Sequence, residues 1–378
     1  MSILSDFRET KRGPVIIGAV AVAVALLLPH FFVTDNEGPL PLFTVVLCAV
    51  YALFALGLNI VVGFAGLLDL GYVAFFLFGA YVAAWFMSDF IGSRNIHILD
   101  TAAKTIPGIH LSFWFVVILA GIITAITGVI IGAPTLRLKS DYLALVTLGF
   151  GEILPEIFRN AETFTNGTKG IGPVDNIGTG PLAYLPQINK TITPSDYIAK
   201  YYVILLFCAI FVWISIKLRD GRLGRAWMAI REDELAASLM GVPLMKTKLW
   251  SYAVGALAGG IGGAFYATIV GTVNVDGFTF AFSIIILCAV ILGGMGNVWG
   301  VILGGVAITW VNYTGLTWVG TKINEIAGTH IVLTDYQFGF FGLVLVLMML
   351  FRPEGFIPAA RSKQVKKADA ALVEGVTA

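Results

Sequence analysis

LFTVVLCAVYALFALGLNIVV, residues 42–62, contains no charged side chain. At about 1.5 Å of rise per residue, a helix of this length crosses the ~30 Å hydrocarbon core of a bilayer. Working outward, similar apolar runs recur along the 378-residue chain, which is 58% hydrophobic and only 12% charged, with 27 Phe, 12 Tyr and 8 Trp. Its mean hydropathy is +0.88. A soluble globule needs about a quarter of its residues charged to clothe its surface. The composition therefore excludes that class and gives an all-α polytopic membrane protein.

Ten candidate spans follow from the apolar runs: 14–33, 42–62, 67–87, 112–133, 141–158, 199–216, 249–270, 278–294, 298–319 and 331–351. Lys11 and Arg12 precede the first of them, but no small-x-small cleavage site follows, so the run reads as an uncleaved helix rather than a signal peptide. Short cytoplasmic loops keep positive charge. With the N-terminus inside, the basic loop 134–140 (Arg137, Lys139), the loop 217–248 and the tail (Arg352, Arg361, Lys363, Lys366, Lys367) all fall on the cytoplasmic side. The long 159–198 loop falls on the periplasmic side, and both termini are cytoplasmic. A single membrane domain is expected over 1–358, with 359–378 a disordered tail.

The three cysteines, Cys48, Cys208 and Cys288, lie singly in apolar runs and read as small core residues. The four histidines lack metal-ligand spacing, so neither a metal site nor a catalytic site is expected. No nucleic-acid partner is expected; lipid is the surrounding medium.

Two stretches interrupt the spans with glycine: GFAGLLDLGY (63–72) and LGGMGNVWGVILGG (292–305). Backbone freed from a helix is tolerated at membrane depth only beside protein or water, so such breaks tend to surround a pathway. Polar side chains inside spans are few, and Asn59, Asp69, Glu152 and Asn297 are the pathway candidates. Glu152 lies near mid-bilayer by counting from Asp141, and an ionisable group at that depth is a functional candidate by default. The competing reading is a neutral brace between helices. Asp69 equally fits a brace of its own break. Glycines recur every four residues at Gly255, Gly259 and Gly263 and again at Gly296, Gly300 and Gly304, a spacing that lets helix backbones approach closely.

One island breaks the apolar pattern. GRAWMAIREDELAASLMGVP (224–243) consists largely of helix formers from Ala226 to Met240, with Gly241 as a C-terminal cap and Pro243 preventing continuation. Leu235 and Leu239 give it a small apolar face; Arg231, Glu232, Asp233 and Glu234 supply charge for a partner or for solvent. A helix this short needs something to pack on.

Glu234, Ala236, Ala237 and Gly241 resemble the E-x-A-A-x-x-x-G signature through which permeases of ABC importers dock on their ATPases. Together with AGLLDLGYVAFFLFGAYVAA (65–84), LRLKSDYLALVTLGFGEI (136–153) and LGGMGNVWG (292–300), the island is similar to the M-type permease subunits of branched-chain (hydrophobic) amino-acid ABC importers over roughly residues 40–355. The resemblance implies a ten-helix fold shared with ribose-type and, more distantly, cobalamin-type importers. It implies an H-type permease partner, two ATPase subunits that bind ATP and magnesium, a periplasmic amino-acid-binding protein, and residence in the bacterial inner membrane. It assigns Arg231, Glu232, Asp233, Glu234, Ala236, Ala237 and Gly241 to ATPase coupling. The chain has no G-x-x-x-x-G-K-[ST], so an energy-driven role requires an ATPase from elsewhere. A urea or short-amide permease shares most of these motifs and stays open. A membrane enzyme is the alternative of another class, and for it the chain offers only Glu152 and Glu156 near one another, without a His or Cys partner.

Overall fold

The helix of the opening stretch, α1 (Leu42–Leu58), continues as a π-helical segment, Asn59–Phe64. Its apolar residues fall on every side, and every residue from Thr44 to Phe64 is buried. A helix that is hydrophobic all round belongs inside a bundle. The computed structural model describes residues 40–92, 96–98, 107–138, 140–177, 197–328, 330, 332–352 and 354–357. The span predicted at 14–33, residues 178–196 of the 159–198 loop and the tail 359–378 lie outside the described residues.

The chain continues through α2 (Val73–Phe86), α3 (Phe113–Thr135), α4 (Ser140–Asn160) and α5 (Tyr197–Asp220). The island follows as α6 (Arg222–Glu232) and α7 (Glu234–Leu239), and then come α8 (Leu244–Val270), α9 (Phe280–Gly293), α10 (Val298–Trp310), α11 (Leu316–Ala327) and α12 (Gln337–Phe351). A second π-helical segment, Val311–Gly315, joins α10 to α11. Among the described residues seven helical stretches are long and apolar enough to cross a membrane, and α2 is a shorter apolar helix. α4, where the sequence predicts the span 141–158, carries Glu152, Glu156 and Arg159 and is not among the seven.

Glycine sets the packing of α8. A side chain at Gly255 would meet Val61 and the Gly57 carbonyl of α1 and its π segment, and one at Gly259 would lie 2.9 Å from Phe75 Cβ. Gly263 lies against the backbone of Phe76 and Ala80, and Gly260 against Thr124 of α3. Lacking side chains there, α8 touches α1, α2 and α3 at once. On α10, Gly300 faces the Gly293 carbonyl and Gly304 the Ala289 carbonyl. Gly296 precedes the helix, because Asn297 caps α10 through Oδ1, accepting from Trp299 N at 3.1 Å and Gly300 N at 3.3 Å.

The structure departs from the sequence reading in three places. The span predicted from residue 67 starts at Val73: Gly66 has φ +70° and Asp69 Oδ1 accepts from Gly71 N at 2.9 Å, so residues 65–71 form a break. The island is two helices rather than one, because Asp233 is extended (φ −153°) and its carboxylate caps α7 at Ala236 N, 2.9 Å away. A three-stranded sheet also accompanies the helices: β1 (Met87–Ser88), β2 (Ile96–Ile98) and β3 (Ile109–Leu111), in the order β1-β3-β2, with β1 antiparallel and β2 parallel to β3.

That sheet marks the end of the bundle opposite the island. There His110 Nδ1 lies 2.6 Å from Asp175 Oδ2, Trp85 Nε1 donates to the Phe164 carbonyl at 2.6 Å, and Arg159 pairs with Asp276 at 2.8 Å. Lys200, buried, donates to Asn176 Oδ1 at 2.8 Å and to the Thr268 carbonyl at 3.0 Å. These contacts staple the helix ends to the connections between them.

Candidate functional site

At the other end, the island is held by three anchors. Trp227 of α6 is fully buried and its indole N–H donates to the Thr247 carbonyl at 2.7 Å. Glu234, the first residue of α7, pairs with Lys248 of α8 at 2.5 Å; the lysine side chain is 5% exposed and the glutamate 47%. Arg231 Nη1 donates to the carbonyl of Gly63, in the π segment that ends α1. Burial lowers the pKa of the Arg231 guanidinium from its ordinary value, while the neighbouring Glu232 works in the opposite sense.

The anchors leave three apolar side chains outside. Leu235, Leu239 and Met240 are 71%, 79% and 85% exposed, whereas Ala237 is buried beneath them. Ala236 donates its N–H to the Asp233 cap, and Glu232 and Asp233 are exposed. Gly241 (φ +83°) turns the chain out of α7 with open space where a Cβ would stand. Its N–H bonds back to Ser238 O at 3.0 Å, and Val242 N to Ala237 O at 3.1 Å, which satisfies the last carbonyls of the helix. The result is a short, held helix that presents an apolar ridge.

The two helix breaks meet behind the island. Asn59 Oδ1 accepts from Gly296 N at 2.8 Å, so the first break and the second share a hydrogen bond. Asn297 Nδ2 donates to the Ile357 carbonyl at 3.1 Å, which fixes the second break to the segment after α12. Asp69 is buried. Its carboxylate lies beside the hydroxyl of Tyr252, and both residues line one small cavity with Gly71, Thr147 and Phe150. Leu70 N donates to Thr147 Oγ1 at 3.1 Å, tying this break to α4.

Glu152 lies elsewhere, on the outer face of α4. It is exposed and makes no hydrogen bond or ion pair among the described residues. Tyr142, Leu145, Ile153 and Ile157 share that face and are 62%, 66%, 55% and 53% exposed. Glu156, four residues on, is instead paired with Arg159 at 2.7 Å. A carboxylate facing lipid is costly, so this face fits protein or water better than hydrocarbon.

The structure thus brings Arg231, Asn59 and the second break together and leaves Glu152 apart. Sequence reading missed Tyr252 as the neighbour of Asp69 and Lys248 as the partner of Glu234. The signal for Lys248 was present, as a lysine at the start of an apolar helix near an acidic cluster.

A bundle of apolar helices long enough to cross a membrane, with an anchored, apolar-ridged helix at one end, defines a multi-pass membrane protein. Residues 40–349 match the family described as branched-chain amino acid transport system / permease component. The high-affinity branched-chain amino acid transport system permease protein LivM of Salmonella typhimurium is 32% identical over 369 residues, covering 94% of this chain and 77% of the relative. The LivM protein of Escherichia coli K12 is 32% identical over 345 residues, covering 87% and 72%. The LivH protein of Escherichia coli K12 is more distant, at 23% identity over 319 residues, covering 83% and 92%. No solved structure gives a significant match. The chain belongs to the family of branched-chain amino acid transport system permease components.

Proposed function

We propose that this chain is the M-type membrane subunit of an ATP-driven importer of branched-chain amino acids in the bacterial inner membrane. In this reading it has ten spans in the ribose/cobalamin-type permease arrangement, both termini are cytoplasmic, and the island faces the cytoplasm. An H-type permease pairs with it, two ATPase subunits supply ATP and magnesium chemistry, and a periplasmic binding protein delivers the substrate. The relatives support the substrate class, since those named LivM and LivH are named for branched-chain amino acid transport.

The ridge of Leu235, Leu239 and Met240 is the observation that carries the docking role. Exposed apolar patches rimmed by charge mark interaction surfaces, and the exposed Glu232 and Asp233, just before α7, supply that charge. The groove that receives the ridge belongs to the ATPase. Glu234 contributes by fixing α7 to Lys248, and Gly241 by permitting the tight exit. The exposed face of α4 with Glu152 lies against the H-type permease, where the pathway runs between the two subunits.

Leu239→Asp tests docking. The variant chain, affinity-purified from membranes of cells that express the whole system, is expected to lose the ATPase subunits while keeping the H-type permease. Recovery of the ATPase at the wild-type level overturns the assignment.

A further inference from the structure

Arg231 belongs to the charged run of the island and is exposed, yet its guanidinium reaches back to the bundle. It donates to the Gly63 carbonyl, which lies in the last turn of α1 and its π extension, where carbonyls have no partner further along the helix. A cation at a helix C-terminus is favoured by the helix dipole as well as by the hydrogen bond. Arg231 therefore caps a membrane helix from an element that lies 168 residues away.

The contact is close along its length. Gly66 has φ +70°, and a Cβ there would lie 2.6 Å from Arg231 Cγ and 3.0 Å from Arg231 Cβ. The stem of the arginine thus rests on the backbone of the first break while its head holds Gly63. Gly63 in turn has no room for a side chain, because a Cβ would meet Asn59 Oδ1 and would lie 2.6 Å from Gly296 N. Asn59 Oδ1 is the atom that accepts from Gly296 N. Beyond it, Gly294 (φ +110°) packs on the carbonyls of Glu354 and Ile357. One contiguous set of contacts therefore runs from the island through the first break to the second, and on to the segment after α12.

We infer that Arg231 is a positioning residue, a clamp that passes displacement of the island to the junction of the two helix breaks. The inference rests on the docking role proposed above. π-helical segments and breaks are the places where a membrane helix changes direction at least cost, and here both breaks meet at one hydrogen bond that the arginine backs. Trp227 and Glu234 bond the island to α8. Arg231 adds the link to the break of α1 and, through Asn59, to the break before α10.

The test uses the whole complex with its own partner subunits, purified through this chain and reconstituted in proteoliposomes with the binding protein in excess. ATP hydrolysis and uptake of labelled leucine are measured per assembled complex. Arg231→Met removes the donor and keeps the stem. It is expected to retain the ATPase subunits while ATP hydrolysed per leucine imported rises about fivefold or more, the lower end of ordinary coupling energies. Arg231→Lys keeps charge but lacks the planar fork, and its ratio is expected between wild type and Arg231→Met. A wild-type ratio in assembled Arg231→Met overturns the clamp. If Arg231→Met does not assemble, Arg231→Lys decides: a raised ratio sustains the clamp, and a wild-type ratio makes Arg231 a folding residue and overturns it. Leu239→Asp, run in parallel, reports on docking separately. Retention of the ATPase by Leu239→Asp defeats the docking role, whereas a normal ratio in Arg231→Met with docking intact defeats only the clamp.

Discussion

Asn59 and Gly296, 237 residues apart in sequence, are joined by a 2.8 Å hydrogen bond from the glycine N–H to the asparagine Oδ1. Each sits in an interruption: Asn59 opens the π-helical segment of α1, and Gly296 (φ +85°) lies in the turn before α10. Asn59 is fully buried. The bond is therefore a polar contact in a low-dielectric interior, where leaving the glycine N–H unpaired is expensive.

Asn59→Leu removes the acceptor at nearly constant volume. The orphaned Gly296 N–H costs ~1–3 kcal/mol. Asn59 Nδ2 already lacks a partner among the described residues, so its removal offsets part of that cost and the loss falls at the lower end. Thermal unfolding of the purified complex is expected to shift down by several degrees. An unchanged midpoint in Asn59→Leu means that the two breaks are held by packing alone.

Glu234→Ala is expected to uncouple ATP hydrolysis from uptake, since it frees the first turn of α7 from Lys248. It also strands an ammonium whose side chain is only 5% exposed. Removing one partner of a buried pair is worse than removing both, so Glu234→Ala/Lys248→Met should recover assembled yield relative to Glu234→Ala. It should not recover coupling, because the anchor is still missing. Additive loss of yield in the double variant means that the pair is only a surface contact.

Gly259→Leu is expected to lower the yield of folded protein rather than change which amino acid is carried. A Cβ at this position already lies 2.9 Å from Phe75 Cβ and 3.3 Å from Phe54 Cε2, so a leucine forces α8 away from α1 and α2. Overpacking of this kind costs ~1–3 kcal/mol or more. Fluorescence-detected size exclusion of the tagged complex measures the folded fraction. Normal accumulation with altered substrate preference assigns this face to the pathway instead.

The spans were legible because long apolar runs have few alternatives; the positions of α1, α3, α5 and α8 follow the runs within a few residues. The exit of α7 was legible too, since Gly241 adopts the left-handed conformation that only glycine takes freely. Other features had no local signature. The π segment at Asn59 keeps the apolar pattern of the helix it extends, so periodicity does not reveal it. The split of the island at Asp233 is a competition between helix propensity and a side-chain cap, and the cap wins by one hydrogen bond. Strands of two or three residues in β1–β3 are too short for alternation to appear. The inward turn of Arg231 is a tertiary contact, which no reading of the island by itself contains.

Glu152→Gln separates the two readings of the carboxylate. Had Glu152 been a neutral brace, it would have a partner on a neighbouring helix; it has none among the described residues and stands exposed on α4 among Tyr142, Leu145, Ile153 and Ile157. Gly149, one turn earlier, has nothing within 4 Å of where its Cβ would be, so the face is open beside the carboxylate. Pro155, one residue past Leu154, lies inside the helix and removes a backbone donor just beyond the site. In the proposed complex this face meets the H-type permease, and a carboxylate there attracts the ammonium group of a passing amino acid. Glutamine keeps the shape and most hydrogen bonds but not the charge. Uptake of labelled leucine, normalised to assembled complex, is therefore expected to fall at least about tenfold, the effect of ~1.4 kcal/mol of lost interaction. The fold of this chain should be unaffected, since Glu152 makes no hydrogen bond or ion pair among the described residues. Wild-type uptake by an assembled Glu152→Gln complex removes the carboxylate from the pathway and leaves it as a polar residue at a subunit contact.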